Sequence, residues 1–516
     1  MPARVIFIGL DAMEPDLLQR WAAEGLLPNI SRLQAQGSMA AVPVPPGMGN
    51  GATWPCFFTG VNPGRHGRYY YQQFDRATYT FFDFNDDTDH RWEPFWVALG
   101  AAGRRTAVID VVKAPLRAFN GIHLANWMAH DRQRPPRSHP PELLAEVTAR
   151  YGEDPMGGST DTFGIRSSDD CARVRDQLIE RLRTKTVANQ DLLARENWDV
   201  FLTVFHEPHD LGHQAWHLHD TAHYAHDAKW LRKNGDPIKD LYIELDRCVG
   251  TLIEDAGSDA TVFLFTGPGM ERNYTANHII DTIVDRLEDA YSGYRPTMPE
   301  RLRALYHRLI PESLRNRLRL RRRFASETGD ARPAISYRKF FAVPHNQNAG
   351  AVRFNIAGRD AMGTVQPGAE YDALRKRVMA DLLAIVNVDG GEPLIKEIIE
   401  VGTYCSGASR DDMPDLLLLW SRSAPIFSVR SELIGRVTGA DPSSRTGDHS
   451  SNCLVLIDGP GVARQPLPVE LRLEDLAPTI AAMVGVELKG IDGVPLPIHG
   501  AAKRQQRKRS DSGVTP

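Results

Sequence analysis

The sequence predicts an α/β fold built on a doubly wound, mainly parallel sheet. Two observations carry this. Short apolar runs rich in β-branched residues recur along the chain, and helical patterns separate them. The first run, Val5–Leu10, passes directly into Asp11, as a buried parallel strand does when it sets a polar group at its carboxyl end. In open α/β sheets that end is where ligands bind.

The remaining elements follow in order. Pro15–Gly25 reads as a helix with Leu17, Leu18, Trp21 and Ala22 on one face. Leu99–Val112 repeats the alternation, with Arg104–Asp110 as its strand. A long helix around Val174–Asn197 precedes a third strand, Asp199–Phe205, and the helix Leu241–Ala256 precedes a fourth, Thr261–Thr266. Pro414–Trp420 is expected as a fifth strand of the sheet, Cys453–Ile457 as a sixth, and Leu476–Val486 as a closing helix. Three stretches read as insertions into a core spanning 1–498, at about 68–155, 288–337 and 340–401. The second holds a basic segment, Arg301–Arg323, with leucines at near-helical spacing, expected as a solvated cap helix. The basic tail 499–516 is expected to be disordered.

Composition excludes several classes. The chain has 516 residues and a net charge of −4, so nothing global favours nucleic acid. Its five cysteines are scattered and form no CxxC, which indicates neither a disulfide framework nor a thiolate zinc site. No apolar run reaches the length of a membrane span, and the N-terminal run is too short for a signal sequence. A cytoplasmic location is expected.

Three stretches carry candidate chemistry. Asn50–Gly67 follows the Pro/Gly-rich run Pro43–Gly49 and presents the hydroxyl of Thr53 at an expected loop-to-helix junction. There it is either an N-cap, with Pro55 in the first turn, or a reactive group beside free N–H donors. After the third strand comes a histidine cluster, in which His209 and His213 are four apart and share a helical face, as metal ligation wants. His217 continues that face. The loop Gly447-Asp-His449 would add a third imidazole, completing a three-nitrogen site with one open position.

Taken together, Ile-Gly-Leu-Asp11, Thr53-Trp-Pro, Thr59-Gly-Val-Asn-Pro-Gly-Arg-His66-Gly, Glu207-Pro-His209-Asp-Leu-Gly-His213, Gly447-Asp-His449 and Asp475-Leu-Ala-Pro-Thr resemble the alkaline phosphatase superfamily, in its type I phosphodiesterase/nucleotide pyrophosphatase branch. The resemblance implies the alkaline phosphatase type of fold with cap insertions, and hydrolysis of a small-molecule phosphate ester through a phosphothreonine at Thr53. It implies divalent metal, zinc first and manganese second, in a pair of ions about 4 Å apart that clamp the attacking and leaving oxygens. Asp11 and Thr53 would hold one ion, and His209, His213 and His449 the other. Two departures stand out. The family's usual Asp is His209 here, which keeps a zinc-competent donor. The family's Ser-Asp-His-Gly-Met is Thr266-Gly267-Pro268-Gly269-Met270, which removes two donors from the nucleophile-side ion. Asp210, Glu271 and His278 are candidates to replace them, and a member that binds phosphorylated ligands or a protein partner without turnover is the alternative. Sulfatases share the fold but need Cys-x-Pro-x-Arg, which this chain lacks around Thr53.

Overall fold

The apolar run that leads into Asp11 forms an inner strand of an eight-stranded sheet. In chain order the strands are β1 (Ala3–Leu10), β2 (Ser38–Ala41), β3 (Thr106–Ile109), β4 (Gly121–Ala125), β5 (Arg137–His139), β6 (Trp198–Phe205), β7 (Thr261–Phe265) and β8 (Leu454–Asp458). Their spatial order is β2-β8-β7-β1-β6-β3-β4-β5. The five strands from β7 to β4 run parallel, whereas β8 is antiparallel to β7 and β2, and β5 is antiparallel to β4. The computed structural model describes residues 3–129, 134–157, 165, 167–292, 335–464, 467 and 471–498. The basic segment Arg301–Arg323 and the tail 499–516 lie outside them.

Alternation along β1 shows why the sheet is wound on both sides. Ile6, Ile8 and Leu10 pack into one apolar cluster with Leu241, Leu245 and Leu211. Val5 and Phe7 pack into another with Phe57, Phe58 and Ile480. Every residue from Val5 to Leu10 is therefore apolar, as a parallel strand covered on both faces requires.

The described residues fall into two compact units. One is drawn from Met1–Arg68, Asn85–Asn273 and Pro442–Pro516, the other from Tyr69–Phe84 and Tyr274–Asp441. Of the stretch 68–155, only 69–84 leaves the first unit; the rest supplies β3, β4, β5 and the helix Glu142–Tyr151. Contrary to expectation, Pro414–Trp420 does not join the central sheet. Its strand, Leu416–Trp420, lies in a four-stranded antiparallel sheet of the second unit, between Ala349–Phe354 and Ile395–Glu400. Leu416 and Leu418 pack there with Ile283, Leu287, Val378 and Leu382. A short apolar run looks the same in either sheet, so its composition does not choose between them.

Four helices of the first unit frame the carboxyl edge of the sheet: α1 (Gly49–Thr59), α2 (Ser168–Ala194), α3 (Glu207–His219) and α4 (Pro237–Ala256). Local chemistry starts each of the last three. Ser167 and Asp170 form a capping box on α2, Pro208 sits in the first turn of α3, and Asp236 caps α4. The start of α1 differs from expectation: it begins at Gly49, so Thr53 lies one turn inside the helix and is not its N-cap. Burial of every residue from Gly49 to Thr59 outweighs the poor helix propensity of Gly49-Asn-Gly51.

Helix α3 is held against α2 by a buried guanidinium. Arg181 Nε donates to Glu207 Oε1 at 2.7 Å, and its Nη2 donates to Asp210 Oδ2. All three side chains are buried. Replacing Arg181 by methionine leaves two carboxylates buried without this cation, which costs about 3–5 kcal/mol when one partner of a buried pair is removed. Urea unfolding of Arg181→Met is expected to show that loss, and the triple change Arg181→Met, Glu207→Gln, Asp210→Asn is expected to recover part of it.

Candidate metal centre

Three neighbouring strands finish at one level. β1 aligns Leu10 with Phe205 of β6 and Gly9 with Phe265 of β7. The residues that follow, Asp11, His206 and Thr266-Gly267, therefore emerge side by side, and the Asp11 N–H donates to the Phe205 carbonyl at 2.9 Å. Helix α3 starts from the end of β6, which brings His209 and His213 over the same edge. The third imidazole arrives on a short strand, Gly447–His449, paired with Met270–Arg272 so that His449 lies opposite Met270. Gly447 makes this approach possible: a Cβ there would sit 2.3 Å from the Gly212 carbonyl oxygen of α3.

His209, His213 and His449 meet in a triangle. Their ring centroids are 4.6, 4.8 and 5.1 Å apart, and one ligating nitrogen from each lies within 4.8 Å of the others. All three are buried. His213 Nδ1 is 2.7 Å from the Gly447 carbonyl oxygen and His209 Nδ1 is 2.9 Å from Asp11 Oδ2. Both partners can only accept, so each ring donates from Nδ1. The neutral rings then turn their Nε2 lone pairs toward each other across 3.1 Å. A shared cation, a proton or a metal ion, relieves that opposition. Two nitrogens bound about 2.0–2.1 Å from one tetrahedral zinc lie roughly 3.3 Å apart, so the spacing fits.

Electrostatics keeps two of the rings, His213 and His449, in their ligating form. Burial pushes the His213 imidazole well below its usual range, helped by the nearby Arg445. His449 is lowered to about 4, again by burial first and by His209 second. Neutral imidazole is the metal-binding form. His217, one turn beyond His213, faces Thr446 Oγ1 at 3.1 Å and stands outside the triangle.

The other expected residues are placed as follows. Asp11 is fully buried beside the triangle. Thr53, also fully buried, donates from Oγ1 to the Gly49 carbonyl at 2.8 Å, one turn back in α1. Asp210 is engaged by Arg181. Glu271 is an exposed member of the short strand opposite Asp448, and His278 belongs to the second unit. Two contributors escape a sequence reading. Asn50 Nδ2 lies 3.3 Å from Asp11 Oδ2 and 3.0 Å from His209 Nδ1, and the Trp54 indole N–H donates to Asp11 Oδ1 at 3.0 Å. Their spacing of four would have revealed a shared face only with the start of α1 known at Gly49.

A family model described as type I phosphodiesterase / nucleotide pyrophosphatase matches residues 5–387, a span that includes Asp11, Thr53, His209 and His213. Among solved structures, phosphonoacetate hydrolase from Sinorhizobium meliloti 1021 in complex with phosphonoformate aligns with a TM-score of 0.53 at 14% identity, covering 93% of this chain and 96% of that one. Its complex with phosphonoacetate gives 0.51 and 15% over the same shares. At this identity the likeness establishes the fold. No curated protein matches the chain.

The triangle makes a prediction about the imidazoles themselves. His213→Ala is expected to weaken zinc binding by more than the roughly 10–100-fold that an outer-shell change costs, whereas His217→Ala leaves it within that range or unchanged. Elemental mass spectrometry after dialysis against limiting zinc reads the difference.

Proposed function

The chain belongs to the type I phosphodiesterase/nucleotide pyrophosphatase family of the alkaline phosphatase superfamily, and from that premise we propose that it is a metal-dependent hydrolase of small-molecule phosphate esters that works through a covalent phosphothreonine at Thr53. The single observation that carries the reading is the triangle of buried imidazoles at the carboxyl edge of the sheet, with two Nε2 atoms 3.1 Å apart. His209, His213 and His449 would hold the ion. Bound there, a divalent metal would supply positive charge to a phosphoryl oxygen.

The residues of the chain do the rest. Helix α1 fixes Thr53 between Asn50 and Trp54, both of which contact Asp11. The Gly49 carbonyl accepts the Thr53 hydroxyl hydrogen bond in the resting protein, and rotation about χ1 releases Oγ1 toward a bound ester. Attack forms the Oγ1–phosphorus bond as the bond to the leaving oxygen breaks, and the leaving alcohol takes up a proton. Water then cleaves the Oγ1–phosphorus bond and restores the hydroxyl. The Asn50 amide is a further donor at the same edge. Such a reaction needs positioning and charge neutralisation more than covalent help from the protein.

Substrate classes follow from this chemistry: a phosphate diester or nucleotide-like ester first. A phosphonate belongs in the same panel, because the solved relatives hold phosphonoformate and phosphonoacetate. The five buried cysteines fit a reducing, cytoplasmic setting, and among the described residues no helix is long and apolar enough to cross a membrane.

The test is hydrolysis of chromogenic aryl phosphate diesters and monoesters with added zinc or manganese. Thr53→Ala is expected to lose on the order of 10³-fold or more in kcat/KM, as loss of a nucleophile does, with Thr53→Ser retaining part of it. Equal rates in parent and Thr53→Ala would remove the nucleophile assignment. Absence of turnover in a protein that retains its metal would favour ligand binding without catalysis.

A further inference from the structure

The residues around Asp11 do not fit a second metal ion. Both carboxylate oxygens already face donors fixed in the protein. Oδ1 receives the Trp54 indole N–H at 3.0 Å, and Oδ2 lies 2.9 Å from His209 Nδ1 and 3.3 Å from Asn50 Nδ2. An indole N–H is a donor with no lone pair to give, so Trp54 occupies the space beside Oδ1 without being able to ligate. Across that space stands Gly267, which has no side chain to ligate. A Cβ on Gly267 would sit 3.3 Å from Asp11 Oδ1 and 3.4 Å from the indole ring, and its φ of +61° disfavours any side chain. Among the described residues, only the three imidazoles group as a metal site.

Two features of the sequence are thereby linked. By the resemblance, His209 stands where the family has a carboxylate ligand, and Gly267-Pro268 where it has two donors of the second ion. An imidazole has a second nitrogen that a carboxylate ligand does not, and it needs an acceptor to fix its tautomer. Asp11, with no second ion to bind, lies where it provides that acceptor. We propose that this protein has a single-ion centre of three imidazoles, and that Asp11 is a positioning residue: it holds the His209 Nδ1–H and so aims Nε2 at the metal. The inference rests on the reading that a divalent ion sits on the three imidazoles. It assigns Asp11 a role different from ligation.

The arrangement resembles in its logic the carboxylate–histidine–zinc unit, in which the outer carboxylate orients the ring and raises its basicity. The Gly447 carbonyl does the same for His213. Trp54 completes the unit by fixing the carboxylate plane from the other side, and Asn50 braces the oxygen that His209 uses.

The test uses the full chain with zinc(II) and cobalt(II) alone as probes. Stoichiometry comes from elemental mass spectrometry, affinity from competition with a chromogenic chelator, and ligand geometry from cobalt d–d absorption. The parent is expected to bind one ion per chain with a tetrahedral cobalt spectrum. Asp11→Ala is expected to bind one ion still, with affinity lower by roughly 10–100-fold and an altered cobalt band. Asp11→Asn keeps one acceptor oxygen for His209 Nδ1 but turns its amide NH2 toward the Trp54 indole N–H, so it is expected to recover part of the loss; because it is isosteric, it also serves if Asp11→Ala fails to fold. Two ions in the parent, one of them lost in either Asp11 variant, would overturn the single-ion centre while leaving metal-dependent hydrolysis standing. One ion bound equally well in parent and both variants would overturn the positioning role. No ion in the parent would overturn the underlying metal reading as well.

Discussion

A buried carboxylate must be surrounded by donors, and Asp11 sets that condition at the end of an inner strand of the sheet. It is fully buried, and an ionised carboxylate in that position is costly unless hydrogen bonds compensate. Its donors come from two directions. Helix α1 supplies Trp54 and Asn50, and helix α3 supplies His209. Each must approach from a fixed side, so the carboxylate ties the two helices to β1. The parallel register of β6, β1 and β7 makes this economical, since it ends all three strands at one level and leaves one edge for the helices to converge on.

From that anchor the triangle of imidazoles follows by hydrogen-bond direction. An acceptor on Nδ1 fixes the Nε2 lone pair of His209 inward, and the Gly447 carbonyl does so for His213. Burial keeps His213 and His449 neutral. The second layer is equally specific. Arg181 clamps Glu207 and Asp210, which flank His209 on α3, so the helix cannot rotate its histidines away from the edge without exposing buried charge. Glu14 ties the other side: its carboxylate accepts from the Met270 N–H at 2.8 Å and from Ser450 Oγ at 2.9 Å, fastening the turn after β7 and the residue next to His449.

Much of this was legible in the sequence because it rests on local pattern. Val5–Leu10 ending in Asp11, and the spacing of His209 and His213, each report one strand end or one helix face, and the α/β architecture follows from their alternation. What stayed hidden depends on distant partners. Thr53 looks like a cap because Gly and Asn before it are poor helix formers, yet packing carries α1 back to Gly49. Leu416–Trp420 looks like a core strand because its apolar run is covered on both faces, which is equally true in the second unit's sheet. The roles of Asn50 and Trp54 depend on where Asp11 lies, 39 and 43 residues away in the chain. Gly267-Pro268 was visible as missing ligands, but not the indole that fills the space they leave.

The single-ion centre on three imidazoles can be checked by diffraction from zinc-loaded crystals on either side of the zinc absorption edge. It predicts a single anomalous peak at zinc–nitrogen bonding distance, about 2.0–2.1 Å, from nitrogens of His209, His213 and His449, with Asp11 bonded to His209 Nδ1 and not to the ion. A second peak bonded to an Asp11 oxygen, with Trp54 displaced, would contradict it.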